Sequence, residues 1–134
     1  MTMKARCQCG QLGATVPGPG DQIVACHCLA CQRRTGAPFG VIAYYDRAVV
    51  TLTGEVREYS RVADSGNSFT TGFCPTCGST LYARADKHPQ MIGITVGSFA
   101  DPGHPPPHRA VFEDTRHGWF AFAAEMAHFP QGRT

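Results

Sequence analysis

The chain has no apolar run approaching the ~20 residues that cross a bilayer, and no membrane-spanning segment is expected. Strong charge of one sign is missing too. Twelve Lys and Arg stand against ten Asp and Glu, a formal net charge of +2, and the basic residues are scattered, so no electrostatic footprint for nucleic acid is expected. No apolar signal segment follows the polar start Met1-Thr-Met-Lys-Ala-Arg6, which points to the cytosol. None of the six histidines has glutamate two residues later, which excludes the His-x-Glu arrangement of zinc deaminases. HExxH, the phosphate-cradling GxxxxGK[ST] and GxSxG are absent as well, and hydrolase and nucleotide-dependent chemistries fall away with them.

What is present suits one compact all-β domain over residues 1–134: 43% hydrophobic content supplies a core, and 15 Gly with 10 Pro suit many short strands joined by turns. Period-two alternation predicts strands at Leu12 to Val16, Gln22 to Ala25, Phe39 to Tyr45, Val49 to Thr53, Val56 to Arg61, Ser68 to Phe73, Thr80 to Ala85, Met91 to Val96 and Arg109 to Phe112. Asp46-Arg47 reads as the reversal of a hairpin, and Asp64-Ser-Gly-Asn67 as a turn. A turn or brief helix is expected from Leu29 to Thr35, ended by Gly36-Ala-Pro38. The prolines of Asp101 to Pro107 lack amide donors and predict an extended connection. Phe120 to His128 reads equally as helix or edge strand.

The chemistry lies in seven cysteines in three clusters: Cys7-Gln-Cys9-Gly10, Cys26-His-Cys28-Leu-Ala-Cys31 and Cys74-Pro-Thr-Cys77-Gly78. Thiolates one or two residues apart reach a single metal ion but are badly placed to bond one another, so the spacing indicates zinc rather than disulfides. An odd count and a reducing compartment agree with that. The outer two pairs, joined across the intervening sequence, would make a closed structural site from Cys7, Cys9, Cys74 and Cys77. Cys26, Cys28 and Cys31 would hold a second zinc with one position left for an outside ligand, and an incoming thiol suits that soft centre. The alternative is that both sites are structural, with His27 or a distant side chain as eighth ligand. His27 stands between two ligands in an extended segment, where alternate side chains face opposite ways, and is a poor candidate for that role.

Three stretches, CQCG, CHCLACQRRTGAPFG and GFCPTCGSTLY, followed by ITVGSFADP and HGWF, resemble the glutathione-dependent formaldehyde-activating enzymes and their centromere protein V relatives over nearly the whole chain. The resemblance implies a β-tent of stacked antiparallel sheets with short helical turns. It implies a structural zinc on Cys7, Cys9, Cys74 and Cys77 and a labile, catalytic zinc on Cys26, Cys28 and Cys31. The implied reaction joins formaldehyde to the thiol of glutathione and is a carbon-sulfur lyase reaction run in reverse.

Candidate contacts to the thiol substrate are Arg33 and Arg34, whose guanidinium forks suit carboxylates, with Thr35, the backbone near Gly36, and Ser98 as donors to a developing alkoxide. Each has an ordinary reading, as a solvated turn or a turn residue. Trp119, Phe120 and Phe122 would line a pocket or close a core, and His104, His108 and His117 would approach the site only if the fold brings them there. A non-catalytic zinc module for a protein or nucleic-acid partner is the competing functional class, but only six residues precede the first cysteine, too few for the basic extension such a module would use.

Overall fold

The computed structural model describes residues 2–20, 22–63, 66–123 and 125–133. Among them the protein is all-β, with strands and short turns around a single α-helix. A three-stranded sheet joins β1 (Met3–Arg6), β2 (Gly13–Val16) and, after a long excursion through the second sheet, β5 (Thr51–Thr53). The second sheet has eight strands. Its members are β3 (Gln22–Cys26), β4 (Gly40–Asp46), β6 (Arg57–Val62), β7 (Ser68–Phe73), β8 (Thr80–Ala85), β9 (Met91–Thr95), β10 (Arg109–Val111) and β11 (Ala127–His128). They lie in the order β11-β10-β3-β4-β9-β8-β7-β6. The helix α1 (Leu29–Thr35) lies between β3 and β4.

The core forms where the two sheets face. Ala5, Leu12, Ala14 and Val16 from the small sheet pack against Ile23, Ala43, Tyr45, Leu81, Ile92 and Ile94 from the large one, with Phe99 at the end. Each fully buried aliphatic chain contributes about 1.5–3 kcal/mol by leaving water, which is the main reason that two layers rather than one flat sheet form. Among the described residues no helix is long and apolar enough to cross a membrane.

Several expectations need adjustment. The strand pairing is antiparallel except at β10, which runs parallel to both β3 and β11. The hairpin expected around Asp46-Arg47 does not form: β4 pairs with β3 and β9, and β5 pairs with β2 in the other sheet. Both edges of β4 are thus taken. A 3-10 turn over Arg47–Val49, capped by Asp46 Oδ1 accepting from Ala48 N (2.9 Å), sends the chain across to the small sheet. Strand β1 escaped the sequence reading because only Ala5 of its four residues is buried, leaving no alternation to detect. Of the segment from Phe120 to His128, Ala124 lies outside the described residues, as do Asp64 and Ser65 of the expected turn. The rest carries no helix, only the two-residue β11.

The small sheet is pinned to the loop between β5 and β6 at Gly54. That residue has φ +96°, and a Cβ on it would lie 2.0 Å from the backbone oxygen of Gln11. Only glycine allows so close an approach. Gly54→Ala is therefore expected to lower stability by about 1–3 kcal/mol, read as a fall in the midpoint of urea unfolding with unchanged slope.

Candidate metal centres

The first centre is built from two similar knuckles. Cys7 follows β1 and Cys74 follows β7, and each opens a tight turn closed by a backbone bond: Gly10 N to Cys7 O (3.1 Å) and Gly78 N to Cys74 O (2.8 Å). Gly10 and Gly78 both have positive φ, +87° and +79°, a conformation that residues with a Cβ resist. That turn points two sulfurs the same way. The four Sγ atoms of Cys7, Cys9, Cys74 and Cys77 lie within 4.8 Å of one another, with 3.6 Å between Cys7 and Cys9 and 3.7 Å between Cys9 and Cys74. A disulfide needs about 2.05 Å, whereas four sulfurs about 2.3 Å from one tetrahedral ion stand about 3.8 Å apart. The cluster can hold a metal ion.

Hydrogen-bond donors surround the sulfurs. Leu12 N reaches Cys7 Sγ (3.3 Å), Thr76 N reaches Cys74 Sγ (3.4 Å), and Gln11 Nε2 reaches Cys74 Sγ (3.0 Å). Gln11 also grips Glu55 at both its oxygen and its nitrogen (2.7 and 2.8 Å), so the Gly54 turn and the sulfur cluster share one side chain. The Ser79 hydroxyl, 3.3 Å from Cys77 Sγ, is the largest influence drawing that thiol down to about 5. It also accepts from Gln8 N (3.0 Å), which links the two knuckles directly.

The second centre follows from the strand-to-helix junction. Cys26 ends β3, Cys28 is the N-cap of α1 and its Sγ accepts from Cys31 N (3.3 Å), and Cys31 is the buried residue of the helix. Their three Sγ atoms also lie within 4.8 Å of one another, and the group contains no histidine or carboxylate. Hydrogen bonds from Cys26 and Cys31 pull Cys28 down to about 2. Cys26, the leading donor to it, is pushed far up for the same reason. The donor set is soft and anionic and fits zinc.

His27 points the other way. Its ring is fully buried against Phe39, Phe120 and Phe122, with centroids at 5.2, 6.3 and 5.8 Å, and neither ring nitrogen has a partner. Burial lowers its pKa and keeps it neutral. Its backbone is well held. The nitrogen donates to Val111 O (3.0 Å), and the oxygen accepts from Gln32 Nε2 (2.9 Å) and Thr115 Oγ1 (2.8 Å). Phe120 and Phe122 thus close a packed aromatic cluster with Phe39, while Trp119 stays 74% exposed.

Helix α1 separates the two arginines read together in the sequence. Arg33 borders an open depression of about 660 Å³ with Leu29, Gln32, Pro38, His117 and Trp119. Arg34 turns toward the cysteines: its Nη2 lies over Gly40, the register partner of Cys26, and its charge, after the Cys26 hydrogen bond, draws Cys31 down against a net upward shift from Cys28 and burial. The Thr35 hydroxyl is occupied at the helix end, donating to Cys31 O (2.9 Å) and accepting from Ala37 N (3.0 Å). Ser98 pairs with Thr95 (2.5 Å) in the turn after β9, and among the described residues no hydrogen bond links it to the cluster. Of the late histidines, His117 reaches α1 through Gln32 Oε1 (3.0 Å), His108 accepts from Ile23 N (3.0 Å), and His104 stacks on Phe99.

Two residues near the cluster were missed. Tyr44 shares the Cys26 face of the sheet, since Cys26 pairs with Gly40 and alternation carries that face through Ile42 to Tyr44. Its phenol is pushed up to about 12, first by burial and then by the charges of Cys26 and Cys31. Arg61, on β6, is the last of the influences that lower Cys28, behind the hydrogen bonds from Cys26 and Cys31. Alternation could have found Tyr44, whereas nothing local could have found Arg61.

The family model for the glutathione-dependent formaldehyde-activating enzyme matches residues 2–115, leaving His117 and Trp119 beyond the match. Among solved structures, a crystal structure of a Rhodobacter sphaeroides protein from a structural-genomics effort is similar at 21% identity. It covers 78% of this chain and 92% of that one, with a TM-score of 0.58, a likeness of fold. No curated protein matches.

His27→Phe replaces an orphaned buried imidazole with an apolar ring among rings. Stability is expected to hold or rise by about 1 kcal/mol, with metal per chain unchanged by elemental analysis. Loss of a metal equivalent would make His27 a ligand after all.

Proposed function

We propose, from the premise that this chain belongs to the glutathione-dependent formaldehyde-activating enzyme family, that it adds a low-molecular-weight thiol such as glutathione to formaldehyde or a related small aldehyde. The observation that carries this reading is the partition of seven cysteines into a group of four and a group of three. Four thiolates complete a tetrahedron and leave nothing to do chemically, while three leave one place for a substrate. In this reading Cys7, Cys9, Cys74 and Cys77 hold a structural zinc, and Cys26, Cys28 and Cys31 hold the working one. A zinc held by Cys26, Cys28 and Cys31 would supply Lewis acidity, lowering the pKa of a substrate thiol.

The chain's own residues supply the rest. Cys28, already biased toward thiolate by its neighbours and by the Cys31 amide, presents a ligand that needs no further deprotonation. The β3-to-α1 junction fixes the spacing of the trio, with His27 locked behind it so that Cys26 and Cys28 face one way. The substrate sulfur forms the new bond to the aldehyde carbon, the carbonyl electron pair moves to oxygen, and that oxygen takes up the proton given up by the thiol. The class is carbon-sulfur lyase in the synthetic direction. Seven free thiols suit a reducing compartment such as the cytosol, and residues 1–134 are read as one domain.

Cys28→Ser is expected to lose one of two zinc equivalents and bring adduct formation from glutathione and formaldehyde, followed by exchange NMR, down to the spontaneous rate, while the fold remains. Full zinc and full turnover in that variant would remove the catalytic assignment. An unaltered chain that neither accelerates the reaction nor binds glutathione would favour a zinc module for a macromolecular partner.

A further inference from the structure

Arg34 is a half-buried cation with one edge of its guanidinium packed away from water. Its Nε and Nη2 are shut off from solvent and make no hydrogen bond. The ion pairs among the described residues are Arg84 with Glu58, and Arg116 and His128 with Glu113, and none involves Arg34. Burying a guanidinium is unfavourable unless an opposite charge compensates it. Gly40 lies under the guanidinium, and a Cβ there would be 2.6 Å from Nη2. Gly40 is also the residue directly across the β3–β4 ladder from Cys26, and Cys31 precedes Arg34 by three residues on α1, the spacing that puts two side chains on one helix face. The orphaned cation therefore borders the trio from both the strand and the helix.

The trio supplies the missing charge once it is loaded. Three thiolates around a divalent zinc sum to one negative charge, and a thiolate in the fourth place makes that two. We propose that Arg34 is the counter-charge of the three-cysteine metal site: a positioning residue that holds the trio in its all-thiolate, metal-bound form and favours an anionic over a neutral fourth ligand. This rests on the reading of Cys26, Cys28 and Cys31 as zinc ligands. It gives Arg34 a different task from Arg33, whose side of the helix faces Trp119, and it explains why a side chain expected to greet a substrate carboxylate has one edge packed away from water instead.

The test compares Arg34→Gln and Arg34→Lys by competition of the two-zinc protein against a chromogenic chelator, with the four-cysteine site as internal reference. The Gln variant is expected to bind the weaker zinc about tenfold less tightly, the scale of a lost outer-shell partner, while Lys restores most of the affinity and the tighter zinc is unmoved. Equal affinity in all three proteins, or equal loss in Gln and Lys, overturns the proposal, the second because shape rather than charge would then matter. Thermal midpoints give an independent reading should Arg34→Gln fold poorly. Arg34→Met is expected to lower the midpoint of the zinc-loaded chain but raise it in the Cys28→Ser background, where the cation has nothing to balance. The same sign in both backgrounds overturns the proposal. An unaltered chain that binds a single zinc overturns this proposal together with the reading beneath it, whereas two zincs indifferent to Arg34 overturn this one alone.

Discussion

Four sulfurs drawn from two separate sheets converge within 4.8 Å, and the architecture depends on that convergence. Cys7 and Cys9 leave the small sheet, while Cys74 and Cys77 leave the large one. Thiols that close together and unbonded gain little from gathering unless an ion takes their charge, because like-charged thiolates repel and neutral thiols are weak hydrogen-bonding groups. Gln11 extends the arrangement to the β5–β6 turn, and Ser79 ties one knuckle to the other. The interlayer core then forms between parts of the chain that are already held near each other, which lowers the entropy lost in closing long loops.

The second cluster differs in kind because it is local. Cys26, Cys28 and Cys31 come from one strand-to-helix junction and need no distant partner to meet, so the site can stay open on one side without loosening the fold. What surrounds it comes from afar. Gly40 and Tyr44 arrive on β4, and the charge of Arg61 acts from β6. An apolar aromatic wall of Phe39, Phe120 and Phe122 packs around His27 behind the trio. Two buried polar groups, the His27 ring and the Arg34 edge, sit unsatisfied on either side of this junction. Such groups are uncommon in folded proteins. They differ in consequence, since a neutral imidazole among aromatic rings is a modest cost and a guanidinium without a counter-ion is a large one.

Much of the fold was legible in local pattern. The helix Leu29–Thr35 agrees with its expected span, and its left-handed cap at Gly36 (φ 68°) matches the glycine that marked its end. Ser68–Phe73 and Thr80–Ala85 coincide with runs of alternating β-formers. Pairing was not legible. Asp46-Arg47 looked like a hairpin reversal because a polar pair between two β-rich runs is the same signal whether the chain turns back or crosses to another layer. The parallel seat of β10 beside β3 likewise depends on which edge remains free after β4 and β9 have paired.

The sequence by itself determined how the cysteines group. Thiol spacing of one or two residues is a covalent constraint, and it dictates which sulfurs can share an ion, which residue caps the helix, and that His27 faces away from its neighbours. Only the tertiary structure decided which side chains surround the open trio. It set Arg34 against the cysteines and Arg33 against Trp119, brought Tyr44 and Arg61 near, and left Ser98 paired with Thr95 in the turn beyond β9. The reason is range: backbone geometry and ligand spacing act over a few residues, whereas charge and packing at a site depend on sheet order and twist, which emerge only when the whole chain has folded.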